Sequence, residues 1–289
     1  MSMSMTPRPP SSASNGETAD ARITADREET KYLVPPARWE SLTAELSRRL
    51  PGHRFTGEGA NRLPDPQHYV TTVYFDTPSR TLFRAAATAP DNNLKVRAKE
   101  YYDLHPSLAE VATDPTQIVR YQPWLWFELK RREGARTSKR RFRLPKGDVA
   151  QFFAEGRVTA EALDLAEAGD GESLRDVVRI CGAFGEPLSA VCVVNYRRHS
   201  WQSDEGDLRV TFDRGLASFA PPADLWARRQ ALVRSVLGAP AAQEASGVLE
   251  VKRRGPVPAW LVESLARIGA TPVPFSKFVA AARAVEAHA

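Results

Sequence analysis

The chain has 289 residues, 42% hydrophobic and 26% charged, with a formal net charge of +5. That length can bury a sizeable core, and the composition is that of a folded globular protein, not a collagen-like or low-complexity chain. No apolar run approaches the roughly 20 residues of a membrane helix, and so mild a charge suits some anion while arguing against nucleic acid as the main partner. Residues 1–24, opening MSMSMTPRPPSSASNGETAD, lack the apolar stretch of a secretory signal and read as a disordered tail. A single domain is expected over 25–289. Cys181 and Cys192, each beside apolar residues, read as buried free thiols in a reducing, cytoplasmic setting.

In chain order, REETKYLV (27–34) reads as a strand, and Pro35 and Pro36 stop it and open a helix through ARWESLTAELSRRL. A loop rich in Gly, Pro and Asn follows from Pro51 to Pro66. HYVTTVYFDT (68–77) and NLKVRAKEYY (93–102) are strands, separated by a loop at 103–122 from WLWFELKRR (124–132). A Gly-containing turn leads to the strand SKRRFRL (138–144). Lys146 to Gly185 reads as helical, with Val149, Phe152 and Phe153 on one helix, then Leu163, Leu165, Leu174, Val177 and Val178. AVCVVNYRRHSW (190–201) and DLRVTFDRGL (207–216) form a strand pair joined at SDEG. A helix is expected at 223–237, a strand at GVLEVKRR (247–254), and helices through Ile268 and from about Ser276 to Ala287. The class is therefore α+β, with eight antiparallel strands able to close into a β-barrel tunnel and helices packed on its outside.

Several strands place like charges on alternate residues, hence on one face. Lys95, Arg97 and Lys99 alternate with Leu94, Val96 and Ala98; Glu128, Lys130 and Arg132 lie on one face, with Leu125, Phe127 and Leu129 on the other. Lys139, Arg141 and Arg143 share a face, as do Tyr196 and Arg198, and Arg209, Thr211 and Asp213 alternate with Leu208, Val210 and Phe212. Singly, each is an ordinary solvated strand face carrying edge cations. Jointly, with apolar faces packed outward against helices, the charged faces must meet inside a barrel. Buried cations need water, interleaved carboxylates or a polyanion, and arginine forks suit phosphate oxygens. Glu29-x-Lys31, Glu128-x-Lys130 and Glu250-x-Lys252 repeat one pattern, which singly is an ion pair and together suggests a chamber for phosphate and a hard divalent cation, Mg²⁺ or Mn²⁺.

These segments, with TTVYFDT, VLEVKRRGPVPAWL and PFSKF, resemble the triphosphate tunnel metalloenzymes (CYTH-like), and more closely their VTC branch, the polyphosphate polymerase domain, over about residues 26 to 285. The resemblance implies a tunnel whose phosphate-binding residues are Lys31, Lys95, Arg97, Lys99, Lys130, Lys139, Arg141, Arg198, Arg209, Lys252 and Lys277, the last near the mouth. It implies Glu250 as metal ligand with Glu29 and Glu128 as helpers, and Arg198, Lys31, Lys277 and Glu250 as the catalytic set. The superfamily often opens with Glu-x-Glu-x-Lys, whereas here Arg27 takes the first position. That loss weakens a two-metal triphosphatase and suits ATP-dependent transfer to polyphosphate. A triphosphate hydrolase of the same fold, or a non-catalytic binder of polyphosphate or RNA through KRREGARTSKRRFR (130–143), are the alternatives. No P-loop, H-E-x-x-H or G-x-S-x-G motif competes. Coupling of synthesis to translocation would need a separate membrane protein at the inner face of the membrane. Truncating Arg198 is expected to remove turnover with little loss of fold, by relieving repulsion among cations.

Overall fold

Alternating apolar and charged residues specify strands with two unlike faces, and this dictates most of the structure. The computed structural model describes residues 28–54, 66–102, 124–134, 136–155, 170–226 and 231–288. The N-terminal tail, Arg27, the 103–122 loop, Leu163 and Leu165 lie outside the described residues. Nine strands form one antiparallel sheet: β1 (Glu28–Val34), β2 (Gln67–Asp76), β3 (Asn92–Tyr102), β4 (Trp124–Glu133), β5 (Arg136–Pro145), β6 (Ser189–Gln202), β7 (Leu208–Phe219), β8 (Ala242–Gln243) and β9 (Gly247–Arg253). Their order is β1-β9-β7-β6-β2-β3-β4-β5, with β8 pairing β7 beside this path. Among the described residues seven α-helices accompany them: α1 (Trp39–Arg49), α2 (Thr81–Thr88), α3 (Lys146–Glu155), α4 (Asp170–Gly182), α5 (Arg234–Leu237), α6 (Ala259–Arg267) and α7 (Lys277–His288).

The expected closed eight-stranded barrel is not what the ladders form. Among the described residues β1 and β5 end the sheet and do not pair with each other. The sheet is nevertheless curled, because Lys130 Nζ on β4 reaches to 3.5 Å from Glu29 Oε2 on β1, at the opposite end of the strand order. Side chains, not backbone hydrogen bonds, bring the two ends together.

The convex face carries the apolar residues. Phe75 stacks on Phe153 of α3 at 4.1 Å, and Phe127 and Phe142 stack at 5.3 Å beside Phe152. Leu42 and Leu46 of α1 and Leu261 and Leu265 of α6 bury Phe212, Leu249 and Val251 in a second cluster. Helix α7 departs from the expected outside packing. Its Phe278 stacks at 5.0 Å on Tyr74, a residue of the opposite, charged face.

Local chemistry explains the remaining departures. Of the helix expected over 223–237, residues 227–230 lie outside the described residues, 223–226 form a turn, and α5 covers Arg234–Leu237. Leu232 N donates to Glu100 Oε2 at 2.6 Å instead of to a carbonyl one turn back, and Val233 is extended. Gly215, at φ +59°, sits where β7 has one residue more than β6, a bulge between pairs Asn195–Ala217 and Arg197–Arg214. Cys192 is buried and Cys181 half-buried, both unbridged.

Helix α2 was not expected, and its start is built by the strand before it. The buried Asp76 carboxylate accepts from Thr77 N, Leu82 N and Phe83 N, each at 2.8 Å, while Thr81 N donates to Thr77 Oγ1 at 3.1 Å. Every N–H of the first turn thus has an acceptor. Asp76→Ala orphans three buried donors, so urea denaturation is expected to show a loss of about 2 kcal/mol or more; a variant as stable as the parent would mean the cap contributes nothing.

Candidate functional site

Residues directly opposite one another in a ladder project from the same face. Glu29 opposes Lys252 and Lys31 opposes Glu250. Lys252 then opposes Arg209, and Glu250 opposes Thr211. Asp213 opposes Arg198, which opposes His68. Tyr74 opposes Arg97, and Thr72 opposes Lys99. Arg97 opposes Glu128 and Lys95 opposes Lys130; Glu128 opposes Arg141 and Lys130 opposes Lys139. The thirteen strand residues singled out in the sequence therefore share one face of a sheet curled toward that side. The fourteenth, Lys277, enters from the start of α7.

Carboxylates hold these cations in three groups. Glu128, with 1% of its side chain exposed, accepts from Arg97 Nη2 at 2.6 Å and Arg141 Nη2 at 2.6 Å, with Lys99 Nζ at 3.4 Å. Burial alone would raise its pKa, but Lys99, Arg97 and Arg141 hold it well below the carboxylate range. Asp213 is fully buried and takes Arg198 in a fork, Nε at 2.6 Å and Nη2 at 2.8 Å, plus Lys277 Nζ at 2.7 Å. Against burial, these two cations draw it down to about 2. The third group pairs Lys252 with Glu250 at 2.6 Å, and sets Glu29 between Lys31 (3.2 Å), Lys130 (3.5 Å) and Lys252 (3.7 Å). Lys31 Nζ also donates to the Phe275 carbonyl at 3.0 Å.

Lys277 is largely enclosed: its side chain is 11% exposed, and its ammonium sits 5.0 Å from the Tyr196 ring centroid. Arg198 lies over the same ring at 5.4 Å. The fork to Asp213 also corrects the expectation for Arg198. It is a paired cation, so truncating it leaves a buried carboxylate short of partners and does not simply relieve repulsion. Asp213 was passed over in the sequence, although its alternation with Arg209 and Thr211 already put it on the charged face. Trp126 was passed over too; Arg141 and Arg143 lie 4.9 and 5.5 Å from its ring.

Among the described residues, eight of the eleven lysines and arginines form ion pairs with four carboxylates, Glu29, Glu128, Asp213 and Glu250. Lys95 is the clearest uncompensated cation, with no ion pair among the described residues. Burial, then Lys31, Lys130 and Arg97, push it down to about 7. Burial, with Lys252 and Arg97 opposing its charge, brings Lys130 to about 8 despite Glu29. Both border a small cavity of about 50 Å³, lined also by Glu29, Lys31, Asn93, Arg132 and Thr137.

The donor set fits a divalent cation only in part. Among the described residues no group of three or more His, Cys, Asp or Glu side chains could share one ion, so Glu29, Glu128 and Glu250 do not form a single ligand set. Both Glu128 oxygens are occupied by arginines. Glu29 and Glu250 are neighbours that raise each other's pKa, yet lysines keep Glu29 at about 2 and Glu250 well below its usual value. Two ionised carboxylates suit a Mg²⁺-like ion that completes its shell with phosphate oxygens and water.

The two depressed lysines have a measurable sign. Below about pH 7 both are charged, and above about 8 both are neutral in the folded chain, whereas the unfolded chain keeps these protons to the ordinary lysine value. Their contribution to stability therefore rises with pH above 7. Sulfate, whose own charge is constant here, is expected to bind more weakly as pH rises from 6.5 to about 8.5, with a smaller change in Lys95→Met. Calorimetric titration at several pH values checks this, and a flat wild-type profile would refute it.

Comparisons with known proteins identify a family for the chain. No curated protein matches the chain. Among solved structures, a candidate adenylate cyclase from Bacillus halodurans is 13% identical with a TM-score of 0.46, covering 88% of this chain and 97% of its own. A Pyrococcus horikoshii protein is 10% identical with a TM-score of 0.40, covering 87% and 97%. The Schizosaccharomyces pombe Mediator head module gives 12% and 0.38, covering 84% and 91%. The VTC domain profile matches residues 26–286, nearly all of the chain, and the protein belongs to the VTC domain family.

Proposed function

We propose that the chamber is the active site of an ATP-dependent phosphotransferase that lengthens inorganic polyphosphate. The observation that carries this is the gathering of eleven largely enclosed lysines and arginines on one curled face, among them Lys95, which has no ion pair among the described residues. An enclosed cation costs free energy unless a negative group meets it, and a chain of phosphates supplies regularly spaced negative charge that can meet several at once. Family membership supports the same substrate class.

In this reading the terminal oxygen of the acceptor chain attacks the γ-phosphorus of ATP in line. A new phosphoanhydride bond forms, the β–γ bridging bond breaks, and ADP departs with that electron pair. Arg198, Lys31 and Lys277 neutralise charge around the transferred group, while Lys95, Arg97, Lys99, Lys130, Lys139, Arg141, Arg209 and Lys252 hold the flanking phosphates. Catalysis is positioning and charge neutralisation, with no side-chain nucleophile. Glu250 and Glu29 would hold Mn²⁺ or Mg²⁺, which when bound supplies further charge neutralisation at the phosphates. Glu128 serves to orient Arg97 and Arg141. Among the described residues no helix is long and apolar enough to cross a membrane.

Incubation with ATP and Mn²⁺ tests the proposal. Polyphosphate ladders on a gel are expected; phosphate release without chain growth would point to a hydrolase, and tripolyphosphate binding without turnover to a binding module. Glu250→Gln is expected to abolish metal-dependent turnover while metal-free tripolyphosphate affinity is kept or tightened, since a counter-charge is lost. Arg198→Ala is expected to abolish turnover and to lower stability by about 3 kcal/mol in urea, because a buried pair is broken. Retained turnover in either variant contradicts the assignment.

A further inference from the structure

We propose that Asp213 is a positioning residue that latches Lys277 of α7 onto Arg198 of β6 and so assembles the cation pair that faces the transferred phosphoryl group. This rests on the phosphotransferase reading and adds to it a residue with no phosphate or metal role of its own.

The geometry singles out Asp213. Arg198 and Lys277 come from elements far apart in the chain, and like charges so placed repel. Asp213 accepts from both, Arg198 through Nε and Nη2 and Lys277 through Nζ, all at 2.6 to 2.8 Å. Having no exposed surface itself, it cannot meet a substrate directly. Two guanidinium N–H groups are committed to it, which leaves the second terminal nitrogen of Arg198, and the remaining ammonium hydrogens of Lys277, for another acceptor. Tyr196 packs beside both cations. The far end of α7 is fastened separately, by Arg80 to Glu286 at 2.7 Å. Asp213 is thus the ion-pair anchor at the site end of α7, and the carboxylate that fixes the direction of the Arg198 fork.

Steady-state kinetics of Asp213→Asn, Lys277→Met and the double variant, with ATP and a short polyphosphate acceptor, test the assignment. Asp213→Asn is expected to lower kcat about tenfold or more, as a small misplacement of catalytic groups does, with KM for ATP changed less than about threefold. Because Asp213 acts through Lys277 and Arg198, the double variant should fall well short of the product of the single losses. Unchanged kcat in folded Asp213→Asn, or losses that multiply fully, would overturn the proposal. If Asp213→Asn does not fold, Asp213→Glu keeps the charge but shifts it by a methylene; reduced kcat with tripolyphosphate affinity retained is then expected, and wild-type kcat overturns it. A parent chain that neither elongates polyphosphate nor binds tripolyphosphate removes the phosphotransferase reading itself, whereas an active parent with unaffected Asp213 variants removes only the latch.

Discussion

Burying cations beside one another is unfavourable unless something negative lies between them, and this constraint organises the molecule. Strands β1, β3, β4, β5, β6, β7 and β9 all send lysine or arginine to one face of the sheet. The opposite face is apolar and covered by helices, so the charged face cannot be turned to the outside without exposing the core. The sheet curls instead, and the cations are gathered into a chamber. Among the described residues four carboxylates stand between these cations, and Lys95 has no ion pair.

The carboxylates are divided by depth and partner. Glu128 and Asp213 are almost wholly enclosed and bound by arginine forks, the geometry in which charge-assisted hydrogen bonds are strongest. They read as internal counter-ions that set the direction of the guanidinium groups. Glu29 and Glu250 are more exposed and contacted mainly by lysines, whose flexible point charges give way more readily than a fork. That contrast separates the carboxylates suited to meeting a metal from those that organise cations, a distinction that the shared Glu-x-Lys spacing conceals. Removing one member of a forked pair and removing one lysine from the looser group are therefore unlike perturbations.

Much of this was legible before any coordinates. Period-two alternation, joined by β-branched and aromatic content for β2, which is buried along nearly its whole length, located eight of the nine described strands. It also placed Glu29, Lys31, Lys95, Arg97, Lys99, Glu128, Lys130, Lys139, Arg141, Arg198, Arg209, Glu250 and Lys252 on charged faces, which the ladder register then joins into one. Where expectation failed, a long-range contact had overridden a local preference. Leu232 N is bound by Glu100, 132 positions earlier in the chain, so α5 starts only after Val233. Helix α2 begins where Asp76 supplies its cap, and α7 occupies the charged side because Phe278 finds Tyr74 there.

The amino-acid sequence by itself determined which residues are charged on which strand face, since that follows from alternation and needs no partner. It also carried enough ordered motif to mark the VTC family. Only the tertiary structure decided how those faces meet: that the sheet stays open between β1 and β5, that its ends touch through Lys130 and Glu29, and that Asp213 stands between Arg198 and Lys277. Alternation fixes direction within one strand, whereas pairing between charges depends on curvature and on contacts many residues apart.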